Sequence, residues 1–181
     1  MYRLVSYFVA TLLACAVLLS TIGIMPYDPL SIVLQTVALL ALCWGINRLI
    51  AGALKIPINS ESSLITGLIL SAIAGPLVLP GDWLLAVVLA VGAIGSKYLV
   101  VLRRSHLLNP AAAGAVLAAV LLGNPARWWI GSQELLPVVV IGGVLLMTKI
   151  RRWHLVFSFM GVYLALLAVD ADGCEVASHE A

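Results

Sequence analysis

Charge is scarce in this chain. Asp, Glu, Lys and Arg together make up 10% of its 181 residues, against about a quarter in an ordinary soluble domain. So little polar surface cannot cover a water-soluble globule, which excludes a cytosolic enzyme and a disordered tail. Ten basic and eight acidic residues leave a net charge of +2, and the basic ones are scattered, which excludes nucleic acid as a partner. Cysteine is nearly absent as well. Cys15, Cys43 and Cys174 form neither an even set nor a CxxC pair, so no disulfide framework or zinc site is expected. Cys15 and Cys43 lie inside apolar runs, where a thiol behaves as a small hydrophobe. There is no Ser/His/Asp set, paired carboxylate, HExxH or phosphate-binding glycine loop, so hydrolysis and soluble phosphoryl transfer have no support.

What the chain has instead is apolar surface. Hydrophobic residues are 63% of it and the mean hydropathy is +1.14. A hydrocarbon core of about 30 Å takes roughly 20 apolar residues per helix, and the chain divides into seven such runs, approximately 4–25, 30–50, 62–79, 83–102, 110–123, 135–150 and 155–169. Clusters of Pro, Gly, Asp and basic residues separate them. The expected fold is an all-α integral membrane protein, a polytopic bundle of about seven transmembrane helices with one or two short or broken. Residues 1–169 form a single membrane domain and 170–181 a polar tail. The first run is too long for a signal peptide and lacks a small-residue cleavage site before Pro26.

The sparse charges are segregated. Arg3, Arg48, Lys55, Lys97, Arg103, Arg104, Lys149, Arg151 and Arg152 fall at one set of alternating run ends, and only Arg127 at the other. Acids separate the opposite way, with Glu61 alone among the bases. Positive charge is retained on the cytoplasmic side, so the expectation is a multi-pass protein of the cell inner membrane with its N-terminus inside and its C-terminus outside. Trp83, Trp128 and Trp129 would then anchor the outer interface, with Trp153 and Trp44 near the inner one.

Two inner loops lead straight into helices with small, polar first turns. In Ile56-Pro57-Ile58-Asn59-Ser60-Glu61-Ser62-Ser63, the side chain of Asn59, Ser60 or Ser62 can cap the next helix. In Ser105-His106-Leu107-Leu108-Asn109-Pro110-Ala111, Asn109 fits the N-cap and Pro110 the first helical position. Both helices would direct free N–H groups and partial positive charge at the cytoplasmic face, near Lys97 and His106, suiting an anionic or carbonyl-rich ligand. Ordinary capping explains the same residues, since every helix needs caps. Lys97 is the one ionisable residue well inside a run, a candidate functional group or a snorkelling side chain. Gly75-Pro76 is expected to end or kink the third helix, Gln35 and Thr36 to bond a neighbouring helix, and Gly92, Gly95, Gly142 and Gly143 to act as packing notches.

The same two segments carry a family likeness. Ser62-Ser63-Leu64-Ile65-Thr66-Gly67-Leu68, Trp83, Ser96-Lys97-Tyr98 and His106-Leu107-Leu108-Asn109-Pro110-Ala111-Ala112-Ala113-Gly114 resemble, in order and spacing, the NqrB/RnfD family over roughly residues 55–169. The resemblance implies a membrane subunit of an ion-translocating electron-transport complex, working beside other membrane subunits and carrying flavin on the way to ferredoxin, NAD or quinone partners. Members esterify FMN to a threonine in an outer loop after the Asn-Pro-Ala helix. The corresponding loop here, 124–134, contains no threonine, so no covalent FMN is expected in it. The chain also stops before the family's later helices, and so resembles a shortened relative.

On this likeness a flavin (FMN or riboflavin) or quinone would bind without a covalent link. Ser62, Thr66 and Gly67 would line one side of the ring and Asn109, Pro110 and Gly114 the other, with Lys97 and His106 supplying positive charge or hydrogen bonds. Two other readings stand beside it: a small transporter or channel that uses the short helices, and a structural membrane subunit without cofactor.

Overall fold

The computed structural model describes residues 2–56, 60–76, 82–99, 101–102, 105–106, 109–123, 128–151 and 153–179. Its elements are helices α1 (Tyr2–Thr21), α2 (Pro29–Leu54), α3 (Ser60–Ile73), α4 (Asp82–Leu99), α5 (Pro110–Leu122), α6 (Leu136–Ile150) and α7 (Trp153–His179). Between α4 and α5, β1 (Val101–Leu102) and β2 (Ser105–His106) pair antiparallel, Val101 opposite His106. One 3-10 turn, Trp129–Gly131, precedes α6. The protein is thus an all-α helical bundle.

Three helices are long and apolar enough to cross a membrane: Arg3–Thr21 of α1, all of α2, and α4. The others are apolar but shorter, among them α3, α5, α6 and Val156–Leu167 of α7. At 1.5 Å per residue, the 13 residues of α5 cover about 20 Å of a core about 30 Å thick.

Local chemistry sets several boundaries. Asp28 caps α2, its carboxylate accepting from the Ser31 N–H at 2.8 Å, and Pro29 follows at the first helical position, where its missing donor costs nothing. Asn109 and Pro110 repeat the device on α5, with Asn109 Oδ1 accepting from Ala111 N at 3.1 Å. Gly123, at φ 63°, closes that helix in the left-handed conformation glycine adopts freely. The third run proves shorter than its apolar length: α3 stops at Ile73, just before Gly75-Pro76, because proline supplies no N–H to continue the ladder. Ser60 and Ser62 lie inside the first turn of α3; Asn59 lies outside the described residues. The fourth run also ends early, since Val101 and Leu102 belong to the ladder.

The chain divides into two units, Met1–Ile141 and Gly142–Ala181. In the first, one apolar cluster joins α2, α3, α4 and α5 through Leu39, Leu70, Leu89, Ile94 and Ala118. A second joins α1, α2, α3 and the 3-10 turn through Leu13, Ile32, Ala72, Trp129 and Ile130. Trp129 is therefore a core residue, 6% exposed, whereas Trp128 beside it is 59% exposed. In the second unit, the described side chains of α7 are almost all exposed.

Glycine permits the tightest crossing. A Cβ on Gly114 would stand 2.5 Å from Leu89 O and 3.0 Å from Ala93 Cβ, and one on Gly92 would stand 3.1 Å from Gly114 Cα. Helices α4 and α5 thus meet backbone to backbone. Gly95 and Gly143, expected to serve in the same way, have nothing within 4 Å at that position.

Candidate functional site

The buried residues of α4 are Ala86, Leu89, Ala90, Ala93, Ile94 and Lys97. They recur every three or four residues, the spacing of one helix face. Lys97 thus stands one turn beyond Ala93 and Ile94 on the face that enters the bundle, and it is only 7% exposed. Its side chain does not run out to the surface.

Its Nζ donates to Ser62 O at 2.8 Å and to Ser62 Oγ at 3.1 Å, in the first turn of α3. Thr66 Oγ1 donates to the same Ser62 carbonyl at 2.8 Å. One residue on, Tyr98 Oη donates to Asn47 Oδ1 of α2 at 2.8 Å. Asn47 and Cys43 are both buried, one turn apart on α2. Arg3 Nη2 donates to Glu61 Oε1 at 3.0 Å at the exposed edge of this cluster. The start of α1, the end of α2, the start of α3 and the end of α4 therefore share one end of the first unit.

The Arg3–Glu61 pair is the single ion pair among the described residues, so no described carboxylate stands within 4 Å of Lys97. An ammonium withdrawn from water without a counter-ion costs several kcal/mol. Its contacts to a carbonyl and a hydroxyl offset part of that cost and leave the charge in place. In an apolar bundle such a group is a candidate for a functional position.

The expected site residues are distributed as follows. Ser62 and Lys97 are in direct contact. Thr66 spends its hydroxyl on the α3 backbone. Gly67 is a helix contact, where a Cβ would stand 3.1 Å from Leu40 Cα, and Gly114 is the α4–α5 crossing. Neither glycine opens onto a ring-sized space, so no flat group lies between them in this arrangement. Asn109 and Pro110 start α5. The backbone of His106 pairs with Val101, and its side chain lies outside the description. Of the expected site residues, Ser62 and Lys97 are the pair that meet through their side chains at this end.

Asn47 was not anticipated. Its signal is a single amide in the apolar second half of α2, four residues from Cys43 and twelve from Gln35, all three on the buried face.

A second polar cluster lies at the opposite end of α3. Gln35 Nε2 donates to Ala74 O at 2.6 Å and Ser71 O at 3.2 Å. Trp129 Nε1 donates to Ser71 O at 2.8 Å, and the Tyr27 ring meets the Trp129 ring edge-on at 5.4 Å. These carbonyls belong to the last turn of α3 and to the residue that follows it, where a helix leaves acceptors unpaired. Gln35 thus bonds a neighbouring helix as expected, whereas Thr36 bonds its own, donating to Ile32 O at 2.8 Å.

Among the described residues, no group of three or more His, Cys, Asp or Glu could hold a metal ion. No family model, curated protein or solved structure matches the chain.

Proposed function

We propose that this chain is a membrane subunit of an ion-translocating electron-transport complex of the Rnf/Nqr type, with the end of the bundle that holds Lys97 facing the cytoplasm of a cell inner membrane. The observation that carries the reading is the buried Lys97 ammonium on Ser62. It joins the two segments on which the likeness to the NqrB/RnfD family rests, and it keeps an uncompensated charge where an apolar contact would cost less.

Other membrane subunits are the partners in this reading. A flavin or quinone, if held by this chain, meets it at Ser62, Lys97 and the start of α5, and supplies the electron-transfer chemistry. The chain's own contribution is the positive charge of Lys97 and the partial positive charge of two helix starts, which favour a reduced, electron-rich group.

The test is a Lys97→Met variant in cells that carry the remaining subunits. The expected result is normal assembly with loss of electron transfer and of the ion uptake it drives. Assembly with full electron transfer overturns the reading. A second reading, a small transporter, draws on the shortness of α3 and α5, since short or broken helices build substrate sites in many carriers. Solute uptake into liposomes by this protein alone, without redox partners, decides for it.

A further inference from the structure

A groove of about 510 Å³ runs between α2 and α4, away from the Lys97 cluster. Its floor is Ala38, Ala41, Gly45 and Leu49 of α2, and its wall is Trp83 and Val87 of α4. Every one of these side chains is apolar. A Cβ on Gly45 would have nothing within 4 Å, and the same holds one and a half to two turns further on at Gly52, so this strip of α2 is bare.

The strip ends in cations. Ala41, Gly45, Arg48 and Gly52 follow one another at intervals of four, three and four residues, which keeps them on one side of α2, and Lys55 comes next at its C-cap. Arg48 stands about 10 Å along the axis from Ala41. Its guanidinium lies 5.4 Å from the centre of the Trp44 ring, a contact that holds the side chain in place and leaves its N–H donors free for an oxygen ligand. Lys55 closes α2 in the left-handed conformation. Neither cation is in an ion pair among the described residues.

An apolar trough that runs into two cations has the chemistry of an anionic phospholipid. We propose that the α2–α4 groove seats one such lipid, an acyl chain lying along Ala38, Ala41 and Gly45 and the headgroup phosphate at Arg48 and Lys55. Charge complementarity selects this occupant over a transmembrane helix, which would have to bring an acid to the same level. It also selects against a zwitterionic lipid, whose own cation competes with Arg48 for the phosphate.

The purified full chain in detergent is mixed with equal amounts of phosphatidylglycerol and phosphatidylcholine of identical acyl chains, and retained lipid is read by native mass spectrometry. One phosphatidylglycerol per chain is expected, and Arg48→Gln is expected to lower its retention about fivefold, the effect of one cation near an anionic lipid, without changing that of phosphatidylcholine. Gly45→Leu fills the floor and is expected to abolish retention of both. Val87→Trp fills the groove from the opposite wall, and reads out the same loss should the α2 variant not fold. Equal retention of the two lipids by the unaltered chain overturns the proposal. So does undiminished retention in Val87→Trp, or a homodimer that Val87→Trp dissociates, which would assign the groove to a second copy.

Discussion

The two polar clusters at opposite ends of α3 both tie helices together inside an apolar bundle, but with different donors and for different reasons. At one end, Gln35 and Trp129 bring neutral donors to Ser71 O and Ala74 O. The helix stops before Pro76, so these carbonyls have lost partners, and a buried carbonyl without a donor costs about 1–3 kcal/mol. Gln35 even leaves its own Oε1 buried without a partner in order to present its amide donor to both. At the other end, Lys97 brings a charge to Ser62 O, a first-turn carbonyl that also accepts from Thr66 Oγ1. That carbonyl had no unmet need. The first cluster repairs a broken helix, and the second brings a charge to a carbonyl that already has a side-chain donor.

Substitutions can break this contrast. The largest expected effect is Trp129→Ala, which empties a core position and removes the shorter of the two hydrogen bonds to Ser71 O. A loss of about 3–5 kcal/mol is expected, read as a large fall in midpoint temperature in detergent. Next come two opposed changes of similar volume. Gln35→Leu leaves Ala74 O bare while Ser71 O keeps Trp129 Nε1, and should destabilise by about 1–3 kcal/mol. Lys97→Met removes a buried charge and should leave stability unchanged or raise it by about 1–4 kcal/mol. If Lys97→Met is instead the more destabilising of the two, the ammonium is a structural tie and the contrast fails. The smallest effect belongs to Arg3→Gln. Its pair with Glu61 is exposed on both sides, so the midpoint temperature should not move measurably, and it should not move with added salt either.

Much of the fold was legible because local chemistry places it. The Asn109-Pro110 start, the Gly75-Pro76 stop and the run of seven apolar segments all follow from capping, a missing N–H and the burial of long hydrophobic stretches. Where a contact depends on a partner distant in the chain, reading the sequence did less well. Gly92 and Gly95 look alike as notches, yet only Gly92 faces another glycine. Trp128 and Trp129 look alike as interface anchors, yet one is exposed and the other is buried against α3. Ser60 and Ser62 resemble caps, yet Ser62 meets an ammonium from 35 residues away. Side-chain identity does not encode which neighbour a given helix face will meet, and helix rotation decides that.

By itself, the sequence determined that this protein is a helical bundle with spans suited to a membrane, since long unbroken apolar runs satisfy their backbone beside lipid as helices. It also determined that Lys97 would be exceptional, because a lone cation in an apolar helix is conspicuous in any arrangement. Only the tertiary structure decided where that cation goes. The spacing of the α4 face turns Lys97 inward, and the crossing of α3 brings Ser62 to its tip. The packing of Gly67 and Gly114 against neighbouring backbones spends two residues that could equally have faced a ligand. Interhelical geometry is a many-body outcome of packing, and it is there that a scarce charge becomes either a surface anchor or the centre of a site.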